Sequence, residues 1–174
     1  MTRHSVTGLS PVDFFTQGYR ISGHINTRAK TVGDTLNDRL SSYVELQDVY
    51  IARVNKPGEI VVSYSYAQLL KDNLLFAIVS SEESFSKAGR SVSYFGRQRT
   101  KAWLALFAFE IQGFFMMTGR SADFEAYLAK GVDVFIPIQD GVAQLSEHPD
   151  ISFSGEAFLV NRLRIDLFCL NPAM

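Results

Sequence analysis

Apolar and polar positions alternate with a period of two along "YRISGHINT" at residues 19–27, as in a strand that buries one face. The outline returns in "FEIQGFFMM" at 109–117, where an aromatic, a charged residue, Ile, a polar residue and Gly open both stretches. Downstream, Val32, Leu36 and Leu40 fall opposite Phe124, Leu128 and Val132, at the spacing that lines one helical face. Thr31 and Asp123 precede these runs where a side-chain oxygen caps a helix, and Asp34 makes Thr31 part of a capping-box variant. "YVELQDVYI" then matches "FIPIQDGVA", with Gln47-Asp48 opposite Gln139-Asp140, and both are expected to be strands bending into a turn. Turns are expected at "NKPGE" (55–59) and "SEHPD" (146–150). The closing strands align Leu74 with Ile165 and Phe76 with Leu167.

Each half therefore predicts strand, short helix, long strand, turn, strand, tight bend, strand, and the shared Gly and Gln-Asp landmarks favour an internal duplication. The expected architecture is mainly β: two tandem small barrel-like units with one short helix each, packed on one another. Their expected bounds are 12–79 and 102–171, with 80–101 as a basic-aromatic linker rich in Ser, Gly and charge. The second copy is the more apolar. It has Phe114, Met116 and Met117 where the first has His24, Asn26 and Thr27, so its strand is expected at an interface.

Composition agrees with a folded, strand-rich chain. Hydrophobic residues make up 47%, charged residues 20% and aromatic residues 13%. A net charge of -1 supplies no overall field for a polyanion, so contact with nucleic acid would need a local basic patch. The N-terminal stretch has no continuous apolar core of a secretory signal, and a cytoplasmic location is expected. The apolar run at 102–117 is interrupted by Glu110, Gln112 and Gly113, which speaks against a membrane span. Within it, "AWLALFAF" predicts a strand covered on both faces. Cys169, the single cysteine, lies in "IDLFCL" and is expected to be a buried, inert thiol.

Through "YVELQDVYI" and "AQLLKDNLLFAIV" the chain resembles the Sm and Sm-like family of small bent barrels over about residues 19–79, and more faintly over 109–170. Asp48-Val49 matches the end of the first family motif, and Asp72-Asn73-Leu74 matches part of the second. Where that family carries its RNA-lining Asp and Asn, this chain has Arg39 and Tyr43, then Gly131 and Phe135. Leu70-Lys71 and Asn161-Arg162 replace the family's Arg-Gly pair. The resemblance thus implies a shape rather than uridine binding. "RAKTVGDTLND" together with these stretches is also similar to a group of small bacterial proteins of unknown function.

Chemistry-bearing patterns are sparse. His4, His24 and His148 have no partners at metal-ligand spacing, and the glycines of "KAGRSVSYFGR" do not have the spacing of a phosphate loop. With no nucleophile pattern either, no enzymatic activity, metal or cofactor is expected. Asp48 and Asp140 are expected to accept backbone hydrogen bonds at strand ends rather than to form a catalytic pair. The segment's cations, Lys87, Arg90, Arg97, Arg99 and Lys101, are interleaved with Tyr94 and Phe95, a pattern suited to phosphates and unpaired bases. Arg162 and Arg164 extend the basic character. The leading expectation is a non-catalytic interaction module that self-associates as a homo-oligomer or binds a protein through exposed strand edges, with no membrane partner. The alternative is RNA or single-stranded nucleic-acid binding through the basic-aromatic segment.

Overall fold

The computed structural model describes residues 8–84, 97–118 and 133–171. The chain is mainly β. The elements run β1 (Leu9–Phe15), β2 (Tyr19–Asn26), α1 (Val32–Asn37), β3 (Tyr43–Arg53), β4 (Lys56–Leu70), a 3-10 turn (Lys71–Asn73), β5 (Phe76–Val79) and α2 (Ser81–Ser84). They continue as β6 (Arg97–Leu106), β7 (Phe109–Thr118), β8 (Phe135–Leu145), β9 (Ser152–Asn161), a second 3-10 turn (Arg162–Arg164) and β10 (Leu167–Asn171). Among the described residues all ten strands join one antiparallel sheet in the order β10-β6-β7-β8-β9-β5-β1-β2-β3-β4. The order 5-1-2-3-4 of the first half recurs as 10-6-7-8-9 in the second, and β5 meets β9 where the halves join.

The Gln-Asp pairs mark a bulge rather than a turn. Between Ser22↔Tyr50 and His24↔Gln47, the single residue Gly23 on β2 faces two on β3, and Asp48 takes a left-handed φ of 50°. Between Gln112↔Val142 and Phe114↔Gln139 the geometry recurs at Gly113, with Asp140 at φ 46°. Asp tolerates that conformation better than most residues. Glycine opposite the bulge lets the strands close: a Cβ on Gly23 would lie 3.2 Å from the Gln47 carbonyl oxygen, and one on Gly113 would lie 2.9 Å from that of Gln139. β3 and β8 therefore bend without ending.

Each half has a fifth strand; that of the second half contains the expected strand in "AWLALFAF", whereas that of the first was not expected. β1 precedes the "YRISGHINT" strand, and β6 precedes "FEIQGFFMM". β6 opens at Arg97, inside the stretch expected to be linker. "AWLALFAF" is half of a hairpin: Ala102, Leu104 and Leu106 are buried, Trp103 and Ala105 half-buried, and Phe107 turns the chain at φ 44°. The stretches covered on both faces are instead β5 and the end of β9. Ala157 and Leu159 enter the core of the first half, whereas Phe158 and Val160 enter that of the second. The expected turn at 55–59 is shorter, because β4 begins at Lys56, while 146–150 does form the β8 to β9 turn, closed by Ile151 N donating to His148 O at 2.9 Å.

Thr31 caps α1 as expected, its Oγ1 accepting from Asp34 N at 3.1 Å, and Val32 and Leu36 are buried. The helix stops at Asn37, so Leu40 does not share that face and is exposed. The expected second helix, with Asp123, Phe124, Leu128 and Val132, lies outside the described residues. Because Thr31 is buried and its hydroxyl serves the cap, Thr31→Ala is expected to cost about 1–2 kcal/mol, read from the midpoint of urea unfolding. Thr31→Ser, which keeps the oxygen, should recover most of that loss.

Candidate functional site: the inner joint and two open edges

Where the halves meet, Phe76↔Val160, Ala77↔Leu159, Ile78↔Phe158 and Val79↔Ala157 pair across β5 and β9. Asparagine side chains clasp the joint. Buried Asn161 donates from Nδ2 to Leu74 O at 2.9 Å. Asn37 donates to Phe135 O at 3.1 Å and accepts from Phe135 N at 2.8 Å, tying the end of α1 to the start of β8. Ser81 N donates to Glu156 Oε2 at 2.9 Å. Sequence reasoning missed all three clasps, since an asparagine that bonds a distant backbone has no local pattern.

Beside the joint lies a cleft of about 580 Å³, walled by residues of both halves that include Asp38, Arg39, Lys71, Phe135 and Arg164. Its cations are engaged. Lys71 is buried and donates from Nζ to Asp38 O at 2.8 Å, and burial of the charged amine holds its pKa below the usual lysine value. Arg164 donates from Nε to Asp72 O at 3.1 Å and again from Nη2. The hydrogen bond from Lys30 and the backbone donor Leu40 N hold the Asp38 carboxyl below the ordinary carboxylate value. A carboxylate with a lowered folded pKa adds stability above its unfolded pKa and loses it as pH falls through the folded one. Wild type should therefore exceed Asp38→Asn in urea midpoint at pH 7, and the gap should narrow as pH falls below the ordinary aspartate value.

The sheet ends in two edges. β4 pairs with β3 alone and β10 with β6 alone among the described residues. From Ile60 to Leu70, β4 carries no charged residue, and Ile60, Val61, Tyr64, Tyr66 and Leu70 are exposed. β10 reads "LFCLN", with Leu167 exposed. Cys169, expected to be buried, is exposed on that edge strand.

The basic residues expected to form one patch are divided. Lys87, Arg90, Tyr94 and Phe95 lie outside the described residues, whereas Arg97, Arg99 and Lys101 belong to strand β6. Arg99 pairs with Asp140, and its guanidinium lies 3.8 Å from the Phe114 ring centroid. Arg162 lies in the second 3-10 turn with Arg164. Asp48 lines a shallow groove with His24 and Tyr50, while Asp140 holds Arg99, so the two carboxylates serve separate places. His24 is in β2 as expected, His148 is in the β8 to β9 turn, and His4 is outside the described residues. No group of three or more His, Cys, Asp or Glu side chains able to hold a metal ion occurs among the described residues. No described helix is long and apolar enough to cross a membrane. Comparison with protein-family models, with curated proteins and with solved structures returns no match.

Proposed function

We propose that the chain is a non-catalytic, cytoplasmic interaction module, a tandem of two Sm-like units that takes up a strand from a protein partner or another copy at its open edges. The observation that carries this reading is β4, which has no second neighbour among the described residues: 15 residues whose stretch from Ile60 to Leu70 has no charge and exposes five large apolar or aromatic side chains. Unpartnered edges are ordinarily blunted by charge, proline or shortness, because their free N–H and C=O groups template association. Here Pro57 and the charges Lys56 and Glu59 are confined to the turn end, which leaves the distal part open. The tandem reading draws support from the recurring strand order and from bulges at matching Gly and Gln-Asp positions.

Light scattering after size exclusion tests the reading. Wild type is expected above its chain mass of 19.5 kDa, and a variant with a lysine on each edge, Tyr66→Lys with Leu167→Lys, is expected at that mass. Wild type that stays monomeric over a wide concentration range would remove self-association. Nucleic-acid binding through the basic-aromatic segment has less support, because Arg99 is committed to Asp140 and Phe114. That alternative requires salt-sensitive binding that weakens in Arg90→Ala, Arg97→Ala and Arg99→Ala.

A further inference from the structure

We infer that the groove beside His24 and Asp48 in the first half receives a guanidinium group, carried by an arginine side chain of a partner or by a free guanidino compound. The second half supplies the template. There Arg99 on β6 sets its guanidinium 3.8 Å from the centroid of the Phe114 ring on β7 and pairs with the carboxylate of Asp140, the left-handed residue of the β8 bulge. The two halves share one register. Leu9↔Asn26 and Pro11↔His24 on β1 and β2 correspond to Arg99↔Met116 and Lys101↔Phe114 on β6 and β7. His24 therefore holds the place of Phe114, Asp48 that of Asp140, and Leu9 that of Arg99. The first half keeps a ring and a carboxylate but places no cation of its own at the Arg99 position.

The groove has a volume of about 300 Å³, and His24, Asp48, Tyr50, Asp13 and Ser22 are among the residues that line it. Its charges do not cancel. Asp13 accepts from Arg20 at 2.9 Å and from Ser22, whereas the Asp48 carboxylate has no ion pair among the described residues. One negative charge is left over, which draws a cation and repels a phosphate. His24 also has a buried Nδ1 with no partner among the described residues, although buried polar atoms are ordinarily hydrogen-bonded. Tyr50, half exposed, adds a second ring where the other half has Val142. Rings beside a carboxylate suit a planar, weakly hydrated cation that stacks and donates at once, as a guanidinium does and a compact, strongly hydrated ammonium does not.

This site uses residues of β1, β2, β3 and β5 and neither open edge, so it goes beyond the edge reading and stands or falls separately from it. In the template the Arg99 and Asp140 side chains are 49% and 61% exposed. A guanidinium held the same way is open to water and salt, and its binding is weak and reversible.

Titration of the full chain with ethylguanidinium at low salt, followed by amide proton–nitrogen NMR, tests the inference. Saturable shifts are expected at His24, Asp48 and Tyr50, with weaker binding of butylammonium. Asp48→Asn should lower the affinity about tenfold, because the charge-assisted hydrogen bonds are lost while asparagine still tolerates the left-handed backbone. Leu9→Arg supplies the cation from within and should abolish binding at the groove. Arg99→Ala should do the reverse, baring Phe114 and Asp140 and adding a second site with shifts at Asp140. Circular dichroism checks that each variant folds. A blocked tripeptide with one central arginine separates the two sources: binding at least as tight as that of ethylguanidinium assigns the groove to a partner's arginine, and binding of ethylguanidinium alone assigns it to a free guanidino compound. No saturable shift at the groove with either probe overturns the inference. So does wild-type affinity in Asp48→Asn or Leu9→Arg, or failure of Arg99→Ala to add a site.

Discussion

Phe76→Ala is expected to destabilise the protein by about 3–5 kcal/mol, a large part of the roughly 5–15 kcal/mol typical of a whole protein. Phe76 is fully buried. Its ring stacks on Phe15 at 4.4 Å between centroids and on Phe158 at 5.5 Å, and meets the edge of Phe109 at 5.0 Å. Phe15 and Phe76 belong to the first half yet pack in the core of the second, so this cluster grafts one half onto the other. Losing the ring leaves a cavity lined by three other aromatic side chains, which cannot collapse without shifting three strands. The counterpart of Phe76 on β10 is Leu167, which is exposed, and Leu167→Ala should leave the urea midpoint of the monomer almost unchanged. Equal losses at the two positions would contradict the view that one edge is filled and the other open.

The contrast shows what the sequence could disclose. Alternation found β2 and β7, and the cap at Thr31 found α1, because each is a local pattern in which every residue reports its own environment. The Gln-Asp landmarks were visible too, although their meaning was not: a bulge needs a left-handed residue on one strand and a glycine on its neighbour, and those two sites are far apart in sequence. Leu40 and Cys169 were misplaced for one reason. Apolar neighbours suggest burial, yet Leu40 follows the helix end and Cys169 lies on an outermost strand. Nor could the joint be located, since what distinguishes β9 from β4 is the strand beyond it. Burial on both faces of Ala157 to Val160 is a property of that neighbour, and "AWLALFAF", the more apolar stretch, lies elsewhere.

Gly141→Ala should cost about 1–3 kcal/mol, although the same place in the first half holds a valine. Val49 and Gly141 are matched by position: each follows the left-handed aspartate of its bulge, pairing with Tyr64 and Gly155 respectively. A Cβ is therefore compatible with the backbone there. What forbids it in the second half is Phe158, whose ring would lie 2.3 Å from a Cβ on Gly141. The first half has Ala67 in place of Phe158, so bulk is exchanged between matched positions: Val49 and Ala67 in one half, Gly141 and Phe158 in the other. The rings around Phe158 hold it in place, so the added methyl must push a packed side chain rather than a free one. A double-mutant cycle separates this cause from backbone strain. Phe158→Ala alone should cost about 3–5 kcal/mol. In that background Gly141→Ala should become nearly neutral, because the atom it strikes is gone. If Gly141→Ala costs the same with and without the ring, the glycine is there for its backbone and the exchange of bulk between the halves does not explain it.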